Sequence, residues 1–226
     1  MKRKYTIGLS ILFVLVIAGV LLLPKLKLYF ASESFTVNTT KKEFFIDHET
    51  SLKALAKKLK NEGFIDDTAL FVEIGEYKKL NSEKIALGKY MIEPDTKLKD
   101  LLNGFKINRR GNGNAEVEVK VSFNNCKGMY QLDDLSRKVA QTLLVDSAAI
   151  SSYLNDPKTY TDYGFTKEQF PAMFIPDTYS MFYDTDEKEF VDRMAKEFKK
   201  FWTAERLEQL KKINLKSPSE LYTLAS

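Results

Sequence analysis

The sequence predicts an α+β protein in two parts, tied at its N-terminal end to a membrane-spanning helix. Three observations carry this expectation. A run without charge extends from Ile7 to Leu23, a strand–helix–helix–strand pattern fills residues 41–108, and a further strand followed by helices occupies residues 115–226. The expected order is a cytoplasmic N-terminus (1–6), a transmembrane anchor (7–23), a linker (24–40) and then the two folded parts.

The run from Ile7 to Leu23 would span about 25 Å as a helix, the short end of a bilayer crossing, and Tyr5, Thr6 and Pro24 extend it to the interface. Lys2, Arg3 and Lys4 precede it, and Lys25 and Lys27 follow it. The short basic leader favours an N-terminus left in the cytoplasm and a body outside it. The rival reading is a cleaved signal peptide. The run is longer than a usual signal core and no small-x-small site closes it, which favours an uncleaved anchor. No cysteine stands just after the run, which excludes a lipid-modified N-terminus.

Bulk properties remove several function classes. The 35 basic and 31 acidic residues are interspersed and leave a net charge of +4, so no basic face calls for nucleic acid. Cys126 is the single cysteine, which excludes an internal disulfide and reads as a small apolar residue rather than a nucleophile. His48 is the single histidine and reads as a surface or capping residue. With one His and one Cys, the common zinc sites are excluded, and no other metal or cofactor is expected. A Ser-His-Asp triad would have to recruit His48, and no nucleophile-elbow glycines are present.

The first folded part begins with a strand at Glu43–Ile46. Thr50 is placed to cap a helix whose apolar face is Leu52, Leu55, Ala56 and Leu59, and Gly63 stops it. Asp66-Asp67-Thr68 opens a second helix with Leu70, Phe71, Ile74 and Tyr77. A strand follows over Ile85–Ile92. Asp95 or Thr96 then caps a third helix lined by Leu98, Leu101, Leu102 and Phe105 and ended by Gly104. The turn Arg109–Asn114 marks the boundary between the parts.

In the second part, Val117, Val119, Val121 and Phe123 alternate with Glu116, Glu118, Lys120 and Ser122, a half-buried strand of period two. Helices are expected from Asp133 or Asp134, with Leu132, Leu135, Val139 and Leu143 on one face, and from Ser147. Residues 158–174 read as irregular and aromatic. Asp186 leads a long helix striped by Phe190, Met194, Phe198 and Phe201, with a break near Thr203 before Leu207 and Leu210. That stripe and Trp202 suit a core better than a sugar-stacking surface. Ser217-Pro218-Ser219-Glu220 is a strong helix start, with Ser217 as cap and Glu220 reaching back, and Leu221, Leu224 and Ala225 begin an apolar face. The sequence stops at Ser226, which reads as a helix cut short.

These residues resemble the MltG (YceG-like) endolytic murein transglycosylases of bacterial cell-wall synthesis. The anchor comes first. The unit ending in Ala86-Leu87-Gly88-Lys89-Tyr90-Met91-Ile92 and Leu98–Gly104 is similar to the family's LysM-like βααβ module. Pro176-Asp177-Thr178-Tyr179 resembles the end of its "EGYLFPDTY" block, and Leu224-Ala225-Ser226 the start of "LASIVEKE". The resemblance implies a LysM-like subdomain followed by a partial mixed α/β YceG-like catalytic domain. It implies an enzyme that cleaves nascent glycan strands of peptidoglycan, leaving 1,6-anhydro-muramyl ends and terminating elongation. The implied partners are those strands, the inner membrane through residues 7–23, and peptidoglycan synthases.

Two departures bear on chemistry. Pro171-Ala172 stands where the family has Glu-Gly, and the family's catalytic glutamate would fall three residues past Ser226. No residue of this chain is therefore given the catalytic role, and Glu220 reads as a cap. Asp177, Thr178 and Tyr179 are the substrate-cleft candidates; the other reading of that string is a turn in which Asp177 bonds local backbone. The alternative functions are a non-catalytic anchored glycan-binding or scaffold protein of the envelope, and an adaptor that meets synthesis enzymes through its anchor.

Overall fold

A computed structural model describes residues 22–23, 26–106, 114–121 and 132–224. The chain divides into two compact units between Asn114 and Ala115. The anchor before Leu22, the turn residues 109–113, Phe123, Cys126, Ala225 and Ser226 lie outside the described residues. Among the described residues, no helix is long and apolar enough to cross a membrane. The fold is α+β, as its alternating strand and helix patterns predict.

The first unit contains β1 (Lys42–Ile46), α1 (Leu52–Asn61), α2 (Thr68–Tyr77), β2 (Gly88–Ile92) and α3 (Leu98–Gly104). β1 and β2 pair antiparallel, with Lys42 opposite Ile92 and Ile46 opposite Gly88. Period two turns Phe44, Ile46, Tyr90 and Ile92 inward, and they meet Leu55, Ala56 and Leu59 of α1, Phe71 and Ile74 of α2, and Leu102 of α3. Phe105 closes this core edge-on to Tyr90, with ring centroids 4.8 Å apart. The Tyr90 hydroxyl donates to the Ala86 carbonyl at 2.8 Å, so its polar end is satisfied.

Local chemistry moves three boundaries from their expected places. Ser51, not Thr50, caps α1, its Oγ accepting from the Ala54 N–H at 3.2 Å. Gly63 follows that helix at φ +77°, the left-handed conformation that glycine adopts without a Cβ penalty. Neither Asp95 nor Thr96 caps α3. Lys97 holds that position without a side-chain bond, because the Thr96 hydroxyl donates to the Glu93 carbonyl at 2.7 Å and closes the preceding turn. β2 is shorter than Ile85–Ile92. Ile85 makes only an isolated bridge to Lys106, while residues 82–84 form a 3₁₀ turn.

The stretch expected as a linker is built into this unit. Residues 26–32 are helical, and Leu28 and Ala31 pack against the core. The backbone beyond is bonded in place: Thr36 N–H donates to Thr96 O and Leu98 N–H to Ser34 O, each at 2.8 Å, and Val37 N–H to Phe64 O at 2.9 Å. Glu33 accepts from Lys97 Nζ at 2.7 Å and also bonds Lys99. The pattern that shows this docking is short, only Leu28, Ala31 and Ser32 on one face, which explains why it reads as linker.

The Glu33 bonds give the docking a pH signature. Hydrogen bonds from Lys97 and then Lys99 hold the Glu33 carboxyl below its ordinary value. A depressed carboxylate contributes stability above the unfolded-state value and loses it as pH falls through the folded one. We therefore expect the Leu98 amide to stay protected from exchange down through the ordinary carboxylate range and to lose protection below it. Glu33→Gln should flatten that dependence. Amide exchange followed by pH titration checks both, and an unchanged profile in the variant would refute the assignment.

The second unit takes in β3 (Asn114–Val121), α4 (Leu132–Ala140), α5 (Ser147–Asn155), α6 (Pro157–Asp162), β4 (Asp177–Phe182), α7 (Glu187–Phe201), α8 (Ala204–Lys212) and α9 (Pro218–Leu224). β3 and β4 pair antiparallel, from Glu116 opposite Phe182 to Val121 opposite Asp177. Val117, Val119 and Val121 face a core with Leu135, Val139, Ile150, Leu154, Phe170, Phe174, Phe190 and Met194. Residues 158–174 are more regular than expected. Asp156 caps α6 through the Lys158 N–H at 2.9 Å with Pro157 at the first helical position, and Phe170–Met173 form a 3₁₀ turn.

α7 opens with a full capping box, Glu189 N–H to Asp186 Oδ1 at 2.7 Å and Asp186 N–H to Glu189 Oε2 at 3.3 Å. Thr203 ends its run by capping α8. At α9 the Glu220 N–H donates to Ser217 Oγ at 3.3 Å, while Glu220 Oε2 accepts from the Lys216 N–H at 2.6 Å, one residue before the cap. Glu220 is thus engaged in capping.

Candidate functional site

A groove of about 530 Å³ opens in the second unit, within the ~300–1,000 Å³ usual for ligand sites. One side is the chain leaving α6, Tyr163 to Phe165, continued by Gln169 and Met173. Facing it are Ala195, Phe198 and Lys199 from the last turns of α7, then Trp202 and Leu207. Ser217, Pro218 and Ser219 at the start of α9 close the end.

Local sequence dictates these positions. Gly164, at φ +82°, lets the chain reverse directly after α6 and brings Phe165 back against α7. The Tyr163 N–H donates to Thr159 O and the Phe165 N–H to Tyr160 O, at 3.4 and 2.9 Å. Spacing of four places Phe198 and Trp202 on one side of the end of α7.

The groove is lined by aromatic rings. Phe165 and Phe198 lie edge-on at 5.4 Å, Phe198 and Trp202 tilted at 6.4 Å, and Trp202 meets Phe201 edge-on at 5.1 Å. The Arg206 guanidinium covers the other aromatic neighbour, 4.0 Å from the Phe201 ring centroid. Trp202 stays half-buried and available from the groove. Polar groups sit at the margins: Asp162, Gln169 and Lys199 are exposed, and the Ser217 and Ser219 hydroxyls stand at the end.

Tyr163 is fixed from behind. Its hydroxyl donates to Asp192 Oδ1 at 2.7 Å, and Lys188 Nζ donates to Asp192 Oδ2 at 2.7 Å. Burial, and then the bond to Asp192, push the phenol far above its ordinary value. The bonds from Lys188 and from Tyr163 hold Asp192 below the ordinary carboxylate range. Tyr163 therefore stays protonated at neutral pH, and the Asp192 bond fixes its ring as part of the groove wall.

The cleft candidates from the sequence lie elsewhere in this unit, on β4. Asp177 and Thr178 are exposed, and the Thr178 N–H donates to Asp177 Oδ1 at 2.7 Å. This is a local backbone bond, made on a strand and not in a turn. Tyr179 is buried at 7% exposure and donates to the Ile175 carbonyl at 2.8 Å. Burial pushes it up to about 12. None of the three lines the groove.

Pro171 and Ala172 lie in the 3₁₀ turn, with Ala172 buried, so no carboxylate occupies that position. His48 belongs to the first unit. Its ring is 75% exposed and its Nδ1 lies 2.7 Å from Asp47 Oδ1. Among the described residues, no group of three His, Cys, Asp or Glu could hold a metal ion.

The family model described as YceG-like matches residues 44–226. The chain belongs to the YceG-like family. No curated protein matches it. A crystal structure of a yceG-like protein from Listeria monocytogenes is similar at 16% identity and a TM-score of 0.41, over 79% of this chain and 60% of that one. The chain thus matches about 60% of that relative's length.

The groove residues from Tyr163 to Gln169 escaped the sequence reading. Their signal was present in Asp156-Pro157, a helix start, and in Gly164, a reversal point, but the aromatic run around them carries no period. Trp202, which the sequence suits to a core, is instead half-buried between α7 and α8 and lines the groove.

Proposed function

We propose that this YceG-like protein is a membrane-anchored lytic transglycosylase that holds a peptidoglycan glycan strand in the groove beside Trp202. The observation that supports this reading is the position of the groove. Its aromatic wall ends at Ser217–Ser219, the start of the helix whose continuation, by the family resemblance, carries the acid. Flat rings with polar groups at the margin suit the apolar face and hydroxyl edge of a pyranose.

The chemistry needs one carboxyl group that acts twice. As an acid it protonates the glycosidic oxygen while the bond from that oxygen to the muramyl anomeric carbon breaks. As a base it takes the proton from the muramyl 6-hydroxyl, whose oxygen closes on the same carbon. The products are two strands, one with a new free 4-hydroxyl and the other with a 1,6-anhydro end, with no water consumed and the carboxyl returned to its starting state. A helix gives that carboxyl a fixed direction, and a nearby apolar wall raises its affinity for the proton.

A polypeptide in which the helix beginning at Pro218 runs on through the glutamate of the family's motif, incubated with glycan strands, should release 1,6-anhydro ends detectable by mass spectrometry. Replacing that glutamate by glutamine should abolish them. Strand binding without any 1,6-anhydro product would instead support the non-catalytic, anchored glycan-binding reading.

A further inference from the structure

We infer that the first unit is seated on the lipid bilayer through a second contact, beyond the anchor itself, made by the outer faces of residues 22–23 and 26–37. The inference rests on the anchoring proposed above. Residues 26–32 form a helix with two unlike faces. Leu28 and Ala31 face the core, whereas Leu22, Leu23, Leu26, Tyr29 and Phe30 project outward, each between 51% and 65% exposed. Phe35 and Val37, on the extended chain that follows, are 52% and 44% exposed. Seven large apolar residues left outside within sixteen positions form a concentration beyond the scattered singles of an ordinary surface.

The occupant follows from what this face continues. It begins where the charge-free run Ile7–Leu23 ends, so its first residues are held at the edge of the hydrocarbon if that run spans the membrane. Its composition is that of a membrane interface. Tyr29 and Phe30 lie edge-on at 5.7 Å, a pair of rings one of which carries a polar tip. Lys27, exposed on the same helix, supplies positive charge complementary to anionic headgroups. A protein partner would have to share this location with the lipid already present there.

The contact fixes orientation because the segment is not a tether. Glu33 is clamped by Lys97 and Lys99, Phe35 bridges Lys97, and the backbone bonds from Thr36, Val37 and Leu98 tie residues 34–37 to the core. Seating this face therefore sets the tilt of the whole first unit against the bilayer.

The test uses the full chain in vesicles of phosphatidylethanolamine and phosphatidylglycerol. Cys126 is replaced by serine, and a single cysteine is placed at Leu26, Phe30, Phe35 or, as an aqueous reference, at the 51% exposed Tyr77. Each is spin-labelled and its collision rates with oxygen and with a water-soluble nickel chelate are compared. Labels at 26, 30 and 35 should favour oxygen several-fold over the label at 77. Equal preference at 30, 35 and 77 in protein that resists alkaline extraction would overturn the seating and leave the anchor intact. Release of the protein by alkali would instead overturn the anchoring, and the seating with it. Circular dichroism of each labelled protein guards against misfolding, and Phe30→Ser with the label at 35 provides a second arm in which the oxygen preference should fall.

Discussion

Phe170→Ala should cost the second unit about 3–5 kcal/mol, the usual price of deleting a buried phenyl ring. Phe170 is fully buried, with Phe174 edge-on at 5.2 Å and the rings of Phe165 and Tyr160 at 6.1 and 6.2 Å. Phe174 in turn stacks on Phe190 of α7 at 6.0 Å. The deletion removes the hub of this cluster and opens a cavity among the flanking rings. A domain is stable by only about 5–15 kcal/mol, so the loss is a large fraction of the total. Trp202 is the only tryptophan, so its emission during urea unfolding reports this unit alone. Phe201→Ala, at a ring 39% exposed and covered by Arg206, should cost about 1 kcal/mol or less. Equal costs at the two positions would show that the cluster is not the support described here.

How far such supports can be read from sequence depends on whether one period or one cap decides them. β3 was legible because Val117, Val119 and Val121 alternate with charged residues, and alternation has a single solution on a half-buried strand. α7 was legible from Asp186 at its start and from Phe190 and Met194 on its buried side. The same stripe then loses its meaning. Phe198 is only partly buried and Phe201 is exposed, because the end of α7 passes beyond the core and becomes a groove wall. Periodicity identifies a face; it does not tell how far the neighbouring core extends along it.

The site was less legible for a related reason. Pro176-Asp177-Thr178-Tyr179 is distinctive as a string; its last three residues open the strand paired with β3, with Tyr179 in the core and Asp177 and Thr178 exposed. The groove instead gathers residues from the α6 reversal, α7, α8 and α9, which no local pattern links. The helix at 26–32 read as part of a linker, because the inward contacts of Leu28 and Ala31 are made with a core that begins only at Phe44.

Trp202→Ala should weaken glycan-strand binding about tenfold, the equivalent of ~1.4 kcal/mol of lost ring contact. It should do so without unfolding the unit. Trp202 is half-buried at the end of α7, and its structural backbone bond, N–H to Phe198 O at 3.0 Å, does not require the indole. Trp202→Phe keeps a flat ring in the same place and should retain most of the affinity. The native protein carries its own reporter, because a sugar laid on the only indole must change its emission. Titration with purified glycan strands should therefore shift or quench that emission along the same curve that calorimetry gives for binding. Binding seen by calorimetry with unchanged emission, and undiminished in Trp202→Ala, would place the strand somewhere other than this groove. Agreement of the two curves, with cleavage by the extended polypeptide falling in step, would tie the ring to the strand that is cut.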